Sequence, residues 1–171
     1  MADITIRAAT RADLPRLTEI YNYYVINTPI TFDVKPYTVE ERAHWLEEHS
    51  DGARYRMFVA QDDREQGRVL GFAGTGRFRD KAAYDTSVET TIYCAPEATG
   101  RGLGAMMYRA LFEALKDEDI NRILAGITIP NDASIRLHER FGFTRVGVFS
   151  ENGRKFDRYW DVCWMERPRI V

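Results

Sequence analysis

Hydrophobic positions change period several times along the chain, and each change marks an element. Ile4 and Ile6 alternate with polar neighbours, so residues 3–8 predict a short strand. Asp13 and Pro15 are start signals, and Leu14, Leu17, Ile20, Tyr21, Tyr24 and Val25 then share one helical face. Residues 27–38, with Pro29 and Pro36, predict a loop carrying Ile30 and Phe32. Thr38 and Glu41 have capping-box spacing, and Trp45 and Leu46 give the short helix that follows its apolar side. Residues 56–62 and 69–79 predict two strands of an antiparallel hairpin, with a turn at 63–68. Gly71, Gly74 and Gly76 weaken the second strand and predict a close approach to its backbone.

A polar loop at 80–86 leads into residues 87–94, where Val88, Thr90, Thr91, Ile92 and Tyr93 favour extended backbone. Leu103, Met106, Met107, Ala110, Leu111, Ala114 and Leu115 keep a helical period. Residues 122–129 predict a strand. Asn131 starts a helix running to about Arg140, and Gly142 stops it. Residues 143–150 and 158–166 predict two more strands, with a turn at Asn152-Gly153. The order β-α-α-β-β-β-α-β-α-β-β combines an antiparallel meander with βαβ crossovers. It predicts an α+β (α/β-like) class with a mixed sheet. No repeat, linker or low-complexity tract divides residues 1–171, which read as one domain.

Composition narrows the function classes. Lys and Arg total 24 against 26 Asp and Glu, a formal charge of −2, and no long basic run suggests nucleic acid. No stretch approaches the roughly 20 apolar residues of a membrane span. The first residues show no basic segment followed by an apolar one, so no secretory signal is expected. Cys94 and Cys163 lie far apart without a CxxC, which argues against a disulfide framework or a metal site and fits a cytoplasmic protein.

The chemistry concentrates between the strand at 87–94 and the helix at 103. Gly100, Gly102 and Gly104 alternate there, and glycine lets backbone amides come close to a ligand. A helix start adds unpaired N–H groups and a partial positive charge, which together suit a phosphate. A dinucleotide site would need an acidic residue at the end of the next strand, but Asp119 precedes that strand. The Gly-Lys-Ser/Thr of a nucleotide triphosphate loop is absent. The glycines therefore indicate a pyrophosphate outside both classes.

Thr99-Gly-Arg-Gly-Leu-Gly-Ala resembles the acetyl-CoA pyrophosphate loop of the GNAT superfamily of N-acetyltransferases, with Thr99 where Arg or Gln is usual. Residues 131–143, Asn-Asp-Ala-Ser-Ile-Arg-Leu-His-Glu-Arg-Phe-Gly-Phe, resemble that superfamily's N-x-x-A-x-x-x-Y-x-x-x-G-F helix. Ser134 and His138 stand for its Ala and Tyr. The wording around His138 is similar to the phosphinothricin and methionine sulfoximine acetyltransferase subfamily. Thr-Phe-Asp at 31–33, Ala-Tyr-Asp at 83–85, Val-Glu-x-Thr-Ile-Tyr at 88–93 and Gly-Arg-Lys-Phe at 153–156 agree.

The resemblance implies a twisted, mostly antiparallel sheet flanked by helices, acetyl-CoA as cosubstrate and direct acyl transfer to an amine. It places the cofactor on Thr91, Ile92, Tyr93, Cys94, Thr99, Gly100, Arg101, Gly102, Leu103, Gly104, Ala105, Asn131 and Ser134. An amine needs a base, and Glu89 is the candidate; by position alone it is equally a solvated or ion-paired carboxylate. His138 titrates near neutrality and is either a proton carrier or a structural histidine. Arg77 and Arg79 could clamp a carboxylate or lie on the surface. The resemblance favours Phe32, Arg77, Arg79, Tyr84, Thr86 and Tyr93 as the pocket for a small amino-acid-like substrate. It also implies a homodimer, for which the only local hint is the aromatic-rich run Phe149, Phe156, Tyr159, Trp160 and Trp164. His44 and His49 read as surface residues, and Cys94 as a small strand residue. A protein or polyamine acceptor and a non-catalytic acyl-CoA-binding module are the competing readings.

Overall fold

The structure, a computed structural model, describes residues 4–49 and 54–169. One seven-stranded sheet runs through it in the order β1-β2-β3-β4-β5-β7-β6. The strands are β1 (Ile4–Ala8), β2 (Met57–Asp62), β3 (Arg68–Arg77), β4 (Ser87–Cys94), β5 (Arg122–Ile129), β6 (Thr144–Lys155) and β7 (Arg158–Pro168). Among the described residues only the β4–β5 pair is parallel. The helices are α1 (Leu14–Asn27), α2 (Val39–Glu47), α3 (Leu103–Ala114) and α4 (Asp132–Arg140). The mixed, mostly antiparallel sheet and its flanking helices match expectation, with β4 and β5 at the predicted bounds. Among the described residues no helix is long and apolar enough to cross a membrane.

Alternation along β3 and β4 divides the core into two layers. Phe72 and Tyr93 are register partners, and their rings meet Trp45 of α2 and Tyr21 and Tyr24 of α1. Residues of opposite parity face α3: a side chain at Gly71 would meet Met107, and Ile92 lies against Gly104. The close approach expected at the β3 glycines is made by the chain itself at Gly71, by the Tyr93 carbonyl, and at Gly74, by that of Arg56. Thr38 caps α2 through the Glu41 amide, and the Glu41 carboxylate returns to the Thr38 amide, as the capping-box spacing predicts.

Two expectations need correction. The hairpin between β6 and β7 turns at Phe156-Asp157, both at positive φ (53° and 56°), where Lys155 pairs with Arg158. Asn152-Gly153 instead lies inside β6, where the register slips between Phe149 and Gly153. The Asp161 carboxylate accepts the Glu151 amide within that bulge. Glycine is needed at 153 because the Phe32 ring lies flat where a side chain would stand. His49, in turn, is not a surface residue: it is half-buried, its two ring nitrogens on the Trp45 (2.8 Å) and Thr75 (2.7 Å) carbonyl oxygens. His44 is exposed, as expected.

Candidate active site

The parallel pairing of β4 with β5 lasts only from Ser87–Arg122 to Glu89–Leu124, although both strands run on for five more residues. Beyond Glu89 they part, and the sheet opens into a slot. Ala95 donates its amide to Leu70 on the β3 side, while the Cys94 carbonyl accepts the Tyr24 hydroxyl at 2.6 Å. By strand alternation the amides of Ile92 and Cys94 face the slot, free to bind carbonyl oxygens.

One mouth of the slot is a cavity of about 410 Å³ between the glycine loop and α4. Gly100 and Gly102 hold φ of +76° and +78°, which few side chains tolerate, and the space where their side chains would be is empty. Backbone bonding resumes at the Ala105 and Met106 amides, both on the Gly102 carbonyl, so the helix start presents its amides outward. Asn131 caps α4 by accepting the Ser134 amide at 3.2 Å. This cradle of open amides at a helix N-terminus fits a diphosphate. Of the residues expected at the cofactor, Ile92, Tyr93, Cys94, Thr99, Leu103, Gly104, Ala105, Asn131 and Ser134 line this cavity together with those two glycines. Two do not: the Arg101 side chain turns away to an ion pair with Asp62 at 3.1 Å, and Thr91 lies on the other side of the slot, in the wall of the second cavity. Thr99 holds the Pro96 carbonyl with its hydroxyl. Tyr24, Leu137 and Arg140 also line this cavity and were not foreseen.

The other mouth, on the α1–α2 face, is a cavity of about 400 Å³ lined by Glu89, Thr91, Tyr93, Phe32, Arg77 and Arg42 among others. Burial raises the Glu89 pKa above the usual carboxylate value, and the Arg79 charge opposes the rise. No hydrogen-bond partner holds Glu89 among the described residues, so its carboxylate is available to a ligand. The loop carrying Phe32 is pinned from both ends. Tyr21 donates to Asp33 at 2.5 Å and bonds Thr31 at 2.8 Å, and the buried Lys155 ammonium donates to the Thr31 carbonyl at 2.8 Å.

Three expected pocket residues do not line this cavity. Tyr84 is 43 % exposed and meets Phe78 edge-on; Phe78 in turn backs Trp164 of the wall. The Thr86 carbonyl takes the Asn121 and Arg122 amides and so ties β4 to β5. Arg79 is exposed beside its Phe78 ring and reaches the site through its charge on Glu89.

Between the mouths lies a small space of about 50 Å³, lined by Thr90, Thr91, Asn131, Ser134 and His138 among others. His138 is 2 % exposed. Its Nδ1 lies 2.8 Å from the Ser134 carbonyl, which can only accept, so the ring proton resides there. Nε2 therefore accepts from the Tyr108 hydroxyl at 2.8 Å. Burial lowers the His138 pKa and keeps the ring neutral near pH 7. Burial also raises the Cys94 thiol to about 11, which leaves it a poor nucleophile.

Sequence reasoning missed Tyr108, which breaks the apolar pattern of α3 with one buried hydroxyl, and Arg42. A signal for Arg42 existed: it shares a face of α2 with Leu46, four residues on, and is buried with it.

Comparison with known proteins accords with this geometry. Residues 6–164 match the acetyltransferase (GNAT) domain. A phosphinothricin N-acetyltransferase of Streptomyces coelicolor is 53% identical over 167 residues, covering 98% of this chain and 97% of that protein. An L-methionine sulfoximine/L-methionine sulfone acetyltransferase of Pseudomonas aeruginosa is 34% identical, covering 95% of this chain and 92% of that protein. The crystal structure of a GNAT phosphinothricin acetyltransferase from Sinorhizobium meliloti in complex with acetyl-CoA superposes with a TM-score of 0.88 at 35% identity, covering 97% of this chain and 88% of that one. The glycine cradle, the parted strands and these likenesses together make the chain a member of the GNAT family of acetyl-CoA-dependent N-acetyltransferases.

Proposed function

We propose that the protein acetylates the α-amine of a small amino acid bearing a polar side chain, of the phosphinothricin or methionine sulfoximine type. The observation that carries this reading is the acceptor cavity: about 400 Å³, walled by aromatic rings, with one carboxylate and arginines lining it, and joined to the cofactor cradle through the slot. That volume suits an amino acid. The names of the relatives above support the same acceptor class.

Acetyl-CoA supplies an activated acyl group when bound. The open amides of the glycine loop would hold its diphosphate, with Asn131 and the Ile92 and Cys94 amides along its arm. Glu89 accepts a proton from the acceptor's ammonium group, directly or through one water, and burial makes it a stronger base than an exposed carboxylate. The slot-facing Ile92 amide stabilises negative charge on the acyl oxygen, worth about 3 kcal/mol for a pre-aimed donor. Arg77, in the cavity wall, receives the carboxylate adjacent to the amine, and the exposed Arg79 adds positive charge near Glu89. His138, neutral and bonded at both nitrogens, is a poor acid. Its geometry supports a positioning role, holding Tyr108 and the start of α4 at the slot.

The chain acts as one domain in the cytoplasm and as a homodimer. The dimer reading is supported by the surface of β6 and β7, where Val146, Phe149, Phe156 and Tyr159 are all more than half exposed. Sedimentation equilibrium reads the dimer directly. Thiol release from acetyl-CoA tests the activity across methionine sulfoximine, phosphinothricin, a peptide N-terminus and spermidine. Turnover confined to the first two upholds the reading. Turnover confined to peptide or polyamine replaces it, and none with any amine leaves a binding module.

A further inference from the structure

We infer that Arg42, in the wall of the acceptor cavity, is the receptor for an oxygen-bearing group at the far end of the acceptor's side chain, and so sets substrate preference. The inference rests on the amino-acid acceptor reading and adds to it the group that tells one amino acid from another.

Arg42 is 7 % exposed and lines the cavity. Its guanidinium lies 3.8 Å from the centre of the Trp45 ring and 4.2 Å from that of Tyr21, with Tyr37 farther off at 5.5 Å. Among the described residues no carboxylate comes within ion-pair distance and no acceptor takes its hydrogens. Nε is sealed from solvent without a partner, whereas the two terminal nitrogens, equally unpartnered, are not sealed. A buried cation without hydrogen bonds is costly, and ring faces compensate only part of that cost, because they leave the in-plane N–H groups unmet. Such a group is a preformed receptor. A guanidinium stripped of water favours diffuse oxyanions or strongly polarised S=O and P=O oxygens, which can take two parallel N–H bonds.

The cavity gives the receptor a definite place along the substrate. Arg42 stacks on Tyr21, whose ring meets that of Tyr93, and Tyr93 lies four residues along β4 from Glu89 on the same face. Glu89 and Arg42 thus serve different ends of one cavity. The amine belongs at Glu89 and its neighbouring carboxylate at Arg77 in the wall, so Arg42 is left for the side-chain terminus.

L-methionine and L-methionine sulfone separate the alternatives, because they differ only in two oxygens on sulfur. The kcat/KM ratio of sulfone to methionine is measured for the wild type, Arg42→Lys and Arg42→Met. The wild type should favour the sulfone roughly 10–100-fold, the range of a hydrogen bond to a charged group. Arg42→Met should bring the ratio close to one, with the change carried by the KM for the sulfone, and Arg42→Lys should fall between. A wild-type ratio near one overturns the inference and leaves the acceptor reading intact. So does an Arg42→Met ratio equal to the wild type, the result expected if Arg42 merely braces the rings. If Arg42→Met does not fold, Arg42→Lys decides: a ratio unchanged from the wild type overturns the inference, and a lowered one upholds it. Turnover of peptides or polyamines with no amino acid accepted defeats the acceptor reading itself, and with it this inference.

Discussion

Glu89 and His138 serve opposite faces of the same strand. Glu89 shares the α1–α2 face of β4 with Thr91 and Tyr93, whereas His138 meets the α3 face through Tyr108, whose hydroxyl lies 3.5 Å from Thr90 Oγ1. The sheet separates the two residues, so a buried carboxylate without a hydrogen-bond partner among the described residues and a neutral imidazole bonded at both nitrogens lie on different sides of it.

Glu89→Gln should lower kcat by about 10²–10⁴-fold, the usual contribution of a general base, while acetyl-CoA affinity holds. Because burial raises the wild-type pKa, the acidic limb of its kcat/KM profile should lie above 4.5, and the variant should lack that limb. Stability carries the same sign. A carboxyl whose folded pKa is raised favours the folded state most below its unfolded value, and that advantage is lost as pH rises through the folded pKa. Thermal melts should therefore show the variant gaining on the wild type between acid and neutral pH. Equal melting curves across that range would contradict the burial of a charged Glu89.

His138 should reveal its neutral state through acid stability. Its folded pKa lies below 6.5, so the unfolded chain takes up a proton first as pH falls, and stability is lost from about pH 6.5 downward. His138→Gln should lack that component. Tyr108→Phe leaves the buried Nε2 without its donor, at a cost of about 1–3 kcal/mol. A positioning role predicts that Tyr108→Phe lowers kcat more than it raises the KM for acetyl-CoA, without shifting the Glu89 limb of the pH profile. An altered limb would place the imidazole in the proton path.

Gly102→Ala tests the cradle. At a φ of +78° an alanine costs about 1–2 kcal/mol, although nothing in the free protein stands in its way. Its methyl group would enter the space assigned to the diphosphate, so calorimetry should show acetyl-CoA binding weakened by more than the strain alone explains. A variant that binds acetyl-CoA as tightly as the wild type would remove the loop from the cofactor site.

Gly153→Ala tests the acceptor mouth from a residue outside the chemistry. The added methyl collides with the Phe32 ring, which must move from the cavity wall. Steady-state kinetics should show the KM for the amino acid raised several-fold and that for acetyl-CoA nearly unchanged. The reverse pattern would detach Phe32 from acceptor binding.

Much of this protein was legible before folding because its determinants are local. The alternation of Ser87–Cys94, the capping box at Thr38 and Glu41 and the glycine run ahead of α3 act through neighbouring backbone, so their elements fall where the pattern puts them. The cofactor cradle followed, since a loop and the helix it opens are contiguous. Asn152-Gly153 shows the limit: the dipeptide carries a turn signal, but the Phe32 ring, distant in sequence, claims the glycine, and the chain turns at Phe156-Asp157.

The sequence by itself determined the order of strands and helices and the glycine loop that opens α3. Tertiary structure alone decided that β4 and β5 part after Glu89, that Glu89 and His138 face apart, and that Arg42 stands between two rings with no ion-pair partner among the described residues. Those features depend on sheet register and on side chains from α1, α2 and β7 meeting over one cavity. Long-range packing sets such meetings, and neither residue spacing nor propensity encodes them in any one segment.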